Sequence, residues 1–242
     1  MPTPCEKCPL RNRALFQSLN DEELAFLQRF KSGELVVEAG TTLILEGSSS
    51  PQLYTALHGM GLRHKTLPDG RRQVLNFVFP GDFIGLQAAV MGEMKHTVEA
   101  TSAMTLCVFK RADLWTLFRS YPGRAFDLTW LAAIEEHLLG ETLAYVGQRS
   151  AISRVAWALV RVYRRAEALG LVVRRAAPFP YRQQDLADAL GLSLVHTNKT
   201  LRRLHDRQLV AWSNGDLKIN DLAALSEIAD LSMEPLPQRP LI

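Results

Sequence analysis

Between residues 35 and 109, short runs rich in Val, Leu, Ile, Thr and Phe are cut by glycine at 40, 47, 59, 61, 70, 81 and 85. Runs that short, each ended by a residue suited to tight turns, predict many strands, as in a barrel or jelly roll. Asp69-Gly70, lying between His64–Leu67 and Gln73–Phe77, marks the clearest hairpin. On either side the apolar period lengthens to three and four. Asn20 precedes Asp21-Glu22-Glu23, a capping side chain followed by acids that suit the positive end of a helix dipole. Leu24, Leu27 and Phe30 follow at helical spacing, so a short helix over 21–30 is predicted. Helical character returns at Asp113–Phe118, and Pro122-Gly123 then opens a proline-free segment over 124–147. There Phe126, Trp130, Ala133, His137, Gly140 and Ala144 recur at steps of four and three. That segment makes a helix about 36 Å long. A narrow apolar stripe on so long a helix calls for a partner, and a two-fold coiled-coil-like contact is the simplest. Packing against its own barrel is the alternative.

Ser150 can cap a further helix, with Ile152, Val155, Ala156, Leu159, Val160 and Tyr163 on its inner face and an end near Gly170. Arg174–Pro180 reads as a basic, proline-broken connector. Two short helical segments follow. In the first, Leu186, Ala187 and Leu190 face inward. Gly191 supplies the turn, where a positive φ costs little. Ser193 caps the second, whose inner face is Thr197, Leu201 and Leu204. Val195, His196, Asn198, Lys199, Arg202 and Arg203 are left outside. This is the layout of a helix-turn-helix, whose second helix enters the DNA major groove. Val195, His196, Asn198 and Lys199 are expected at base edges, with Ser193, Arg202 and Arg203 serving phosphates or the helix start. Leu209–Trp212, Asn214-Gly215 and Leu217–Ile219 predict a small hairpin, the wing. The stretch Pro235–Pro240 reads as a disordered tail.

Composition sharpens this picture. A length of 242 residues favours two domains, and 47% hydrophobic with 22% charged residues supports packed cores. Residues 149–220 hold 13 Lys/Arg against 5 Asp/Glu, whereas residues 1–148 hold 14 against 16. A basic block confined to one region is the footprint of a polyanion-binding domain on a neutral carrier. No run approaches eighteen apolar residues, so no membrane partner is expected. The start Met1-Pro2-Thr3-Pro4-Cys5 lacks a secretory pattern, and three cysteines suit a reducing, cytoplasmic setting better than a disulfide framework.

The barrel motif Pro80-Gly81-Asp82-Phe83-Ile84-Gly85, the Pro68-Asp69-Gly70-Arg71 hairpin, the long helix and the terminal reader stand in one order. That order resembles the Crp/Fnr superfamily of transcription regulators over nearly the whole chain. The resemblance implies an α+β chain with an N-terminal double-stranded β-helix sensor of the cyclic-nucleotide-binding kind. A long dimerisation helix and a C-terminal winged helix-turn-helix follow it. Its divisions here are a cysteine-bearing leader 1–20, a sensor 21–121, a dimerisation helix 122–148, a DNA-binding domain 149–225 and a tail 226–242. The implied partners are double-stranded DNA with a two-fold symmetric operator, a second copy of the chain, and RNA polymerase. Cyclic-nucleotide binders of the family carry a Glu after the Phe-Ile-Gly turn and, further on, an Arg-Ser/Thr pair. Here those places read Leu86-Gln87 and His96-Thr97, and without the Arg a cyclic phosphate lacks its bidentate partner. Cyclic AMP is therefore not expected as effector.

Cys5 and Cys8 form a Cys-x-x-Cys, and Cys107 lies in the apolar run Leu106–Phe109. In the oxygen-sensing branch of the family, clustered N-terminal cysteines and one distant cysteine hold a four-iron cluster. Cys5, Cys8 and Cys107 match three of those places, and the fourth is Ala14. The resemblance thus implies an iron–sulfur cofactor with an incomplete ligand set, on a mobile leader. An inert buried cysteine, a thiol–disulfide switch and half of a zinc site are the competing readings. A barrel enzyme is the rival class. It would need a metal set within residues 35–109, which offer only His58, His64 and His96 without a paired acid at ligand spacing.

Overall fold

The structure, a computed structural model, describes residues 2–242; position 1 of the predicted leader lies outside the described residues. The chain divides into two compact units. The first comprises the chain up to Thr66, Phe77–Glu136 and Pro237–Ile242, and the second Leu67–Asn76 and His137–Leu236.

The first unit opens with helix α1 (Asp21–Phe30), where Asn20 and Glu23 complete a reciprocal capping box. Strands β1 (Lys31–Val37), β2 (Thr42–Ile44), β3 (Gln52–His58), β4 (Gly61–Thr66), β5 (Arg72–Val78) and β6 (Phe83–Ile84) follow. After helix α2 (Leu86–Met91) come β7 (Thr97–Ala100) and β8 (Met104–Lys110). They form two four-stranded sheets, ordered β1-β8-β3-β6 and β2-β7-β4-β5, the predicted jelly roll. Ile44, Tyr54, Val78, Ile84, Val98 and Leu106 fill the barrel core. A second core gathers Phe26, Leu27 and Phe30 of α1 with Leu53, Phe83 and Phe109, and with Leu114 and Leu117 of α3 (Leu114–Ser120). Leu128 and Leu131, from the first part of α4 (Pro122–Gln148), complete it. Each such side chain contributes roughly 1.5–3 kcal/mol on burial.

Both ends of the chain depart from expectation. The leader is packed, not mobile: Leu10, Leu15 and Phe16 are buried, and the Cys5 amide donates to Gln28 Oε1 at 2.7 Å. The tail is ordered in its last residues. Leu241 and Ile242 are buried, and Phe16 pairs with Arg239 in a parallel bridge. The sequence there shows prolines and no periodicity. What overrides that signal is a set of partners more than a hundred and fifty positions away.

The second unit holds the rest of α4, then α5 (Ala151–Ala168), capped by Ser150. Next come β9 (Ala176–Pro178), α6 (Gln183–Leu190), α7 (Leu194–Asp206), β10 (Val210–Ser213), β11 (Asp216–Ile219) and α8 (Leu222–Ala229). Asn214 and Gly215 both take positive φ (53° and 78°), the requirement of a type I′ hairpin. The supposed connector 174–180 is in part a strand, since β9 pairs with β11 and makes the wing three-stranded. Helix α8 runs across the expected 225/226 division.

Candidate nucleic-acid interface and cysteine cavity

Helix α6 ends at Gly191, whose φ of 61° turns the chain, and the Leu192 amide returns to the Ala187 carbonyl at 3.1 Å. Ser193 Oγ then accepts from the His196 amide at 3.2 Å and starts α7. Thr197, Leu201 and Leu204 are buried as expected. Thr200 joins them, its hydroxyl donating to the His196 carbonyl at 2.8 Å. The seven expected DNA residues are all exposed: Ser193, Val195, His196, Asn198, Lys199, Arg202 and Arg203. Val195 is 79% exposed, an apolar side chain on the outer face of a helix that has an inner face available. Lys199, Arg202 and Arg203 enter no ion pair among the described residues, so their charge stays available to a polyanion.

Two features escaped the sequence reading. Exposed Arg207 and Lys218 extend the basic surface beyond α7; only the regional charge excess pointed to them. The turn of the β4–β5 hairpin clusters with this unit. Arg72 pairs there with Asp185, and with Asp188 at 3.2 Å, while Gln73 Nε2 donates to the Ala189 carbonyl at 3.3 Å. Asp185 is buried and also accepts from the Arg182 amide at 2.7 Å, so it anchors the start of α6.

Where a cyclic phosphate would be clamped, the barrel is closed to charge. His96 and Thr97 are buried, and Thr97 Oγ1 accepts from the Glu46 amide at 3.1 Å. Burial, with the nearby Arg63 charge, pushes His96 down to about 4, so it is neutral at pH 7. The buried guanidinium of Arg63 is itself engaged, with Glu135 at 3.0 Å and the Phe83 carbonyl at 3.0 Å.

The three cysteines, grouped in the sequence only by the family resemblance, lie at one place in the structure. All are free thiols, and Cys5, Cys8 and Cys107 line one cavity of about 40 Å³ with Lys31, Leu241 and Ile242. Lys31 is held by Glu34 and by the Thr3 carbonyl, both at 2.7 Å. Burial pushes the Cys107 thiol up to about 11, against the opposing charge of Lys31, and it also raises Cys5. A four-iron cluster does not fit this site. The space admits only a few water-sized spheres, and no set of three or more metal-ligating side chains is placed to hold an ion among the described residues. The fourth place, Ala14, supplies only a carbonyl, which accepts from Gln238 Nε2 at 3.0 Å.

A jelly-roll barrel and a winged helix-turn-helix in one chain define a transcription regulator built from a sensor and a DNA reader. Residues 34–121 match the family model of the cyclic nucleotide-binding domain, and residues 153–228 that of the Crp-like helix-turn-helix domain. The nitrogen fixation regulation protein FixK of Bradyrhizobium diazoefficiens is 29% identical over 225 residues, covering 93% of each chain. FixK of Rhizobium meliloti is 30% identical over 172 residues, 71% of this chain and 75% of that one. Among solved structures, FixK2 from Bradyrhizobium japonicum superposes with a TM-score of 0.73, at 24% identity over 81% of this chain and 96% of that one. The chain belongs to the Crp/Fnr family of DNA-binding transcription regulators. Its relatives are regulators and not enzymes, which removes the barrel-enzyme alternative. No helix among the described residues is long and apolar enough to cross a membrane.

Proposed function

We propose that this chain works in the cytoplasm as a homodimer on a two-fold symmetric operator, with α7 in the major groove and RNA polymerase as a further partner. The observation that carries this reading is the unpaired basic outer face of α7, with exposed Val195 and Asn198 beside it. A Val at this place cannot accept a hydrogen bond from cytosine, but its methyls can touch a thymine methyl. Selection of binding sites from random DNA is expected to return half-sites about 34 Å apart. Val195→Glu shifts the preferred bases, and Lys199→Ala or Asn198→Ala weakens discrimination by about 1–3 kcal/mol. Selected sites without a dyad, or an unchanged preference in Val195→Glu, would show that α7 is not the reading element.

The sensor answers to redox state through thiol chemistry at Cys5, Cys8 and Cys107, and not to cyclic AMP. The leader pair Cys5 and Cys8 meeting the distant Cys107 beside Lys31 supports the first half of that statement. The second half rests on the buried neutral His96 and the engaged Arg63. Isothermal titration with cyclic AMP is expected to give no saturable heat. Saturable binding that also tightens DNA association would overturn it.

A further inference from the structure

The final residues of the chain make contacts that neither DNA reading nor thiol chemistry requires. Arg239 NH1 lies 2.7 Å from Asp82 Oδ1, and the two side chains are 8% and 7% exposed. Its amide donates to the Leu15 carbonyl at 2.8 Å, and its carbonyl accepts from the Gln17 amide at 2.9 Å. Thr55 Oγ1 donates to the Ile242 carbonyl at 2.6 Å, and Leu241 and Ile242 are each 5% exposed. Residues 232–238 just before them are exposed. Apart from Gln238, whose Nε2 donates to the Ala14 carbonyl at 3.0 Å, the grip falls on the last four residues. It combines strand-like backbone pairing, one buried charge pair and two apolar anchors, the elements by which grooves recognise extended peptides.

The groove is built by two separate parts of the first unit. Asp82 stands in the barrel motif, fixed by the Phe79 amide on its other oxygen at 2.8 Å. The Phe16 ring sits so close to Gly81 that an added Cβ there would come within 2.2 Å of it. The leader is thus pressed onto the barrel motif, and its backbone at Leu15 and Gln17 forms the wall against which Arg239 pairs. Leu241 and Ile242 then lie against the cavity lined by the cysteines and Lys31.

We propose that the sensor barrel carries a peptide-binding groove whose resident ligand is the segment Arg239–Ile242, and that this ligand shields the three thiols. The misfit of a metal cluster has the same origin, because the apolar tail fills the space beside the thiols. Tail seating and a metal centre at Cys5, Cys8 and Cys107 are mutually exclusive, and so are tail seating and rapid attack on Cys107.

The test follows alkylation by iodoacetamide, site by site, using mass spectrometry on the full chain, on Arg239→Glu, and on a chain ending at Leu236. Both altered chains are expected to alkylate Cys107 at least about tenfold faster, as local opening no longer has to expel the tail. A synthetic peptide of Pro235–Ile242 added to the shortened chain restores protection, and the same peptide with Arg239→Glu does not. Equal rates in all three chains overturn the proposal. So does a shortened chain that loses the barrel's circular dichroism and is not rescued by peptide, since the tail is then a structural part and not a separable ligand. These rates are read without DNA or added oxidant, so they stand or fall apart from the redox reading.

Discussion

His96 holds its proton differently in the folded barrel and in the unfolded chain. Its folded value of about 4 lies below its ordinary 6.5, chiefly through burial. The unfolded chain therefore binds a proton that the barrel refuses, and stability is full above pH 6.5 and falls as pH drops towards 4. Between pH 7 and pH 5 this one group removes about 2 kcal/mol. His96→Gln is expected to flatten the acid limb of a thermal melting series by that amount; an unchanged limb would mean His96 titrates freely. None of this was legible beforehand, because a sequence shows a histidine but not its burial. The outer residues of α7 were legible, since helical period alone separates Val195 and Lys199 from Leu201 and Leu204. The Asp82–Arg239 pair was not, because no local pattern links positions 157 apart.

Elements were readable where amphipathic period and turn chemistry agree. Helix α1, the β4–β5 and wing hairpins, and the α6–α7 pair all had both. Strand β9 had neither: three residues, Ala176-Ala177-Pro178, take their extended form from β11. Helix α8 was overlooked because its length is eight residues and its apolar positions nearly continuous. Gly191 is the position on which the helix-turn-helix geometry turns. An added Cβ would meet Val146 at 3.4 Å, an ordinary contact, so space is not the obstacle. The left-handed backbone is, and Gly191→Ala is expected to cost about 1–2 kcal/mol of stability. Chemical denaturation checks the cost, and binding assays on the folded fraction should show weakened DNA affinity. A neutral substitution would mean the turn relaxes to another conformation.

For the whole molecule, the most consequential surface is the one that helix α4 leaves bare. Phe126, Ala133, His137, Gly140 and Ala144 are all exposed and Trp130 is half-buried, and the six together keep the four-and-three spacing of a coiled-coil seam. A Cβ on Gly140 meets nothing within 4 Å, so the single chain has no objection to a side chain there. Gly140→Arg should leave the monomer folded, and slightly more helical, while blocking close approach of a second helix. Sedimentation is expected to show a monomer with weakened operator binding; a dimer of normal affinity would remove α4 from the interface. The bridge between Phe16 and Arg239 bears on folding as well. Stretch 137–236 begins and ends on a chain that the barrel holds at both sides, so the reader is in effect a closed loop. When it melts, its two ends stay pinned for as long as the tail holds. Its disordered ensemble is then smaller than that of a free domain, and the reader gains stability through the states it is denied.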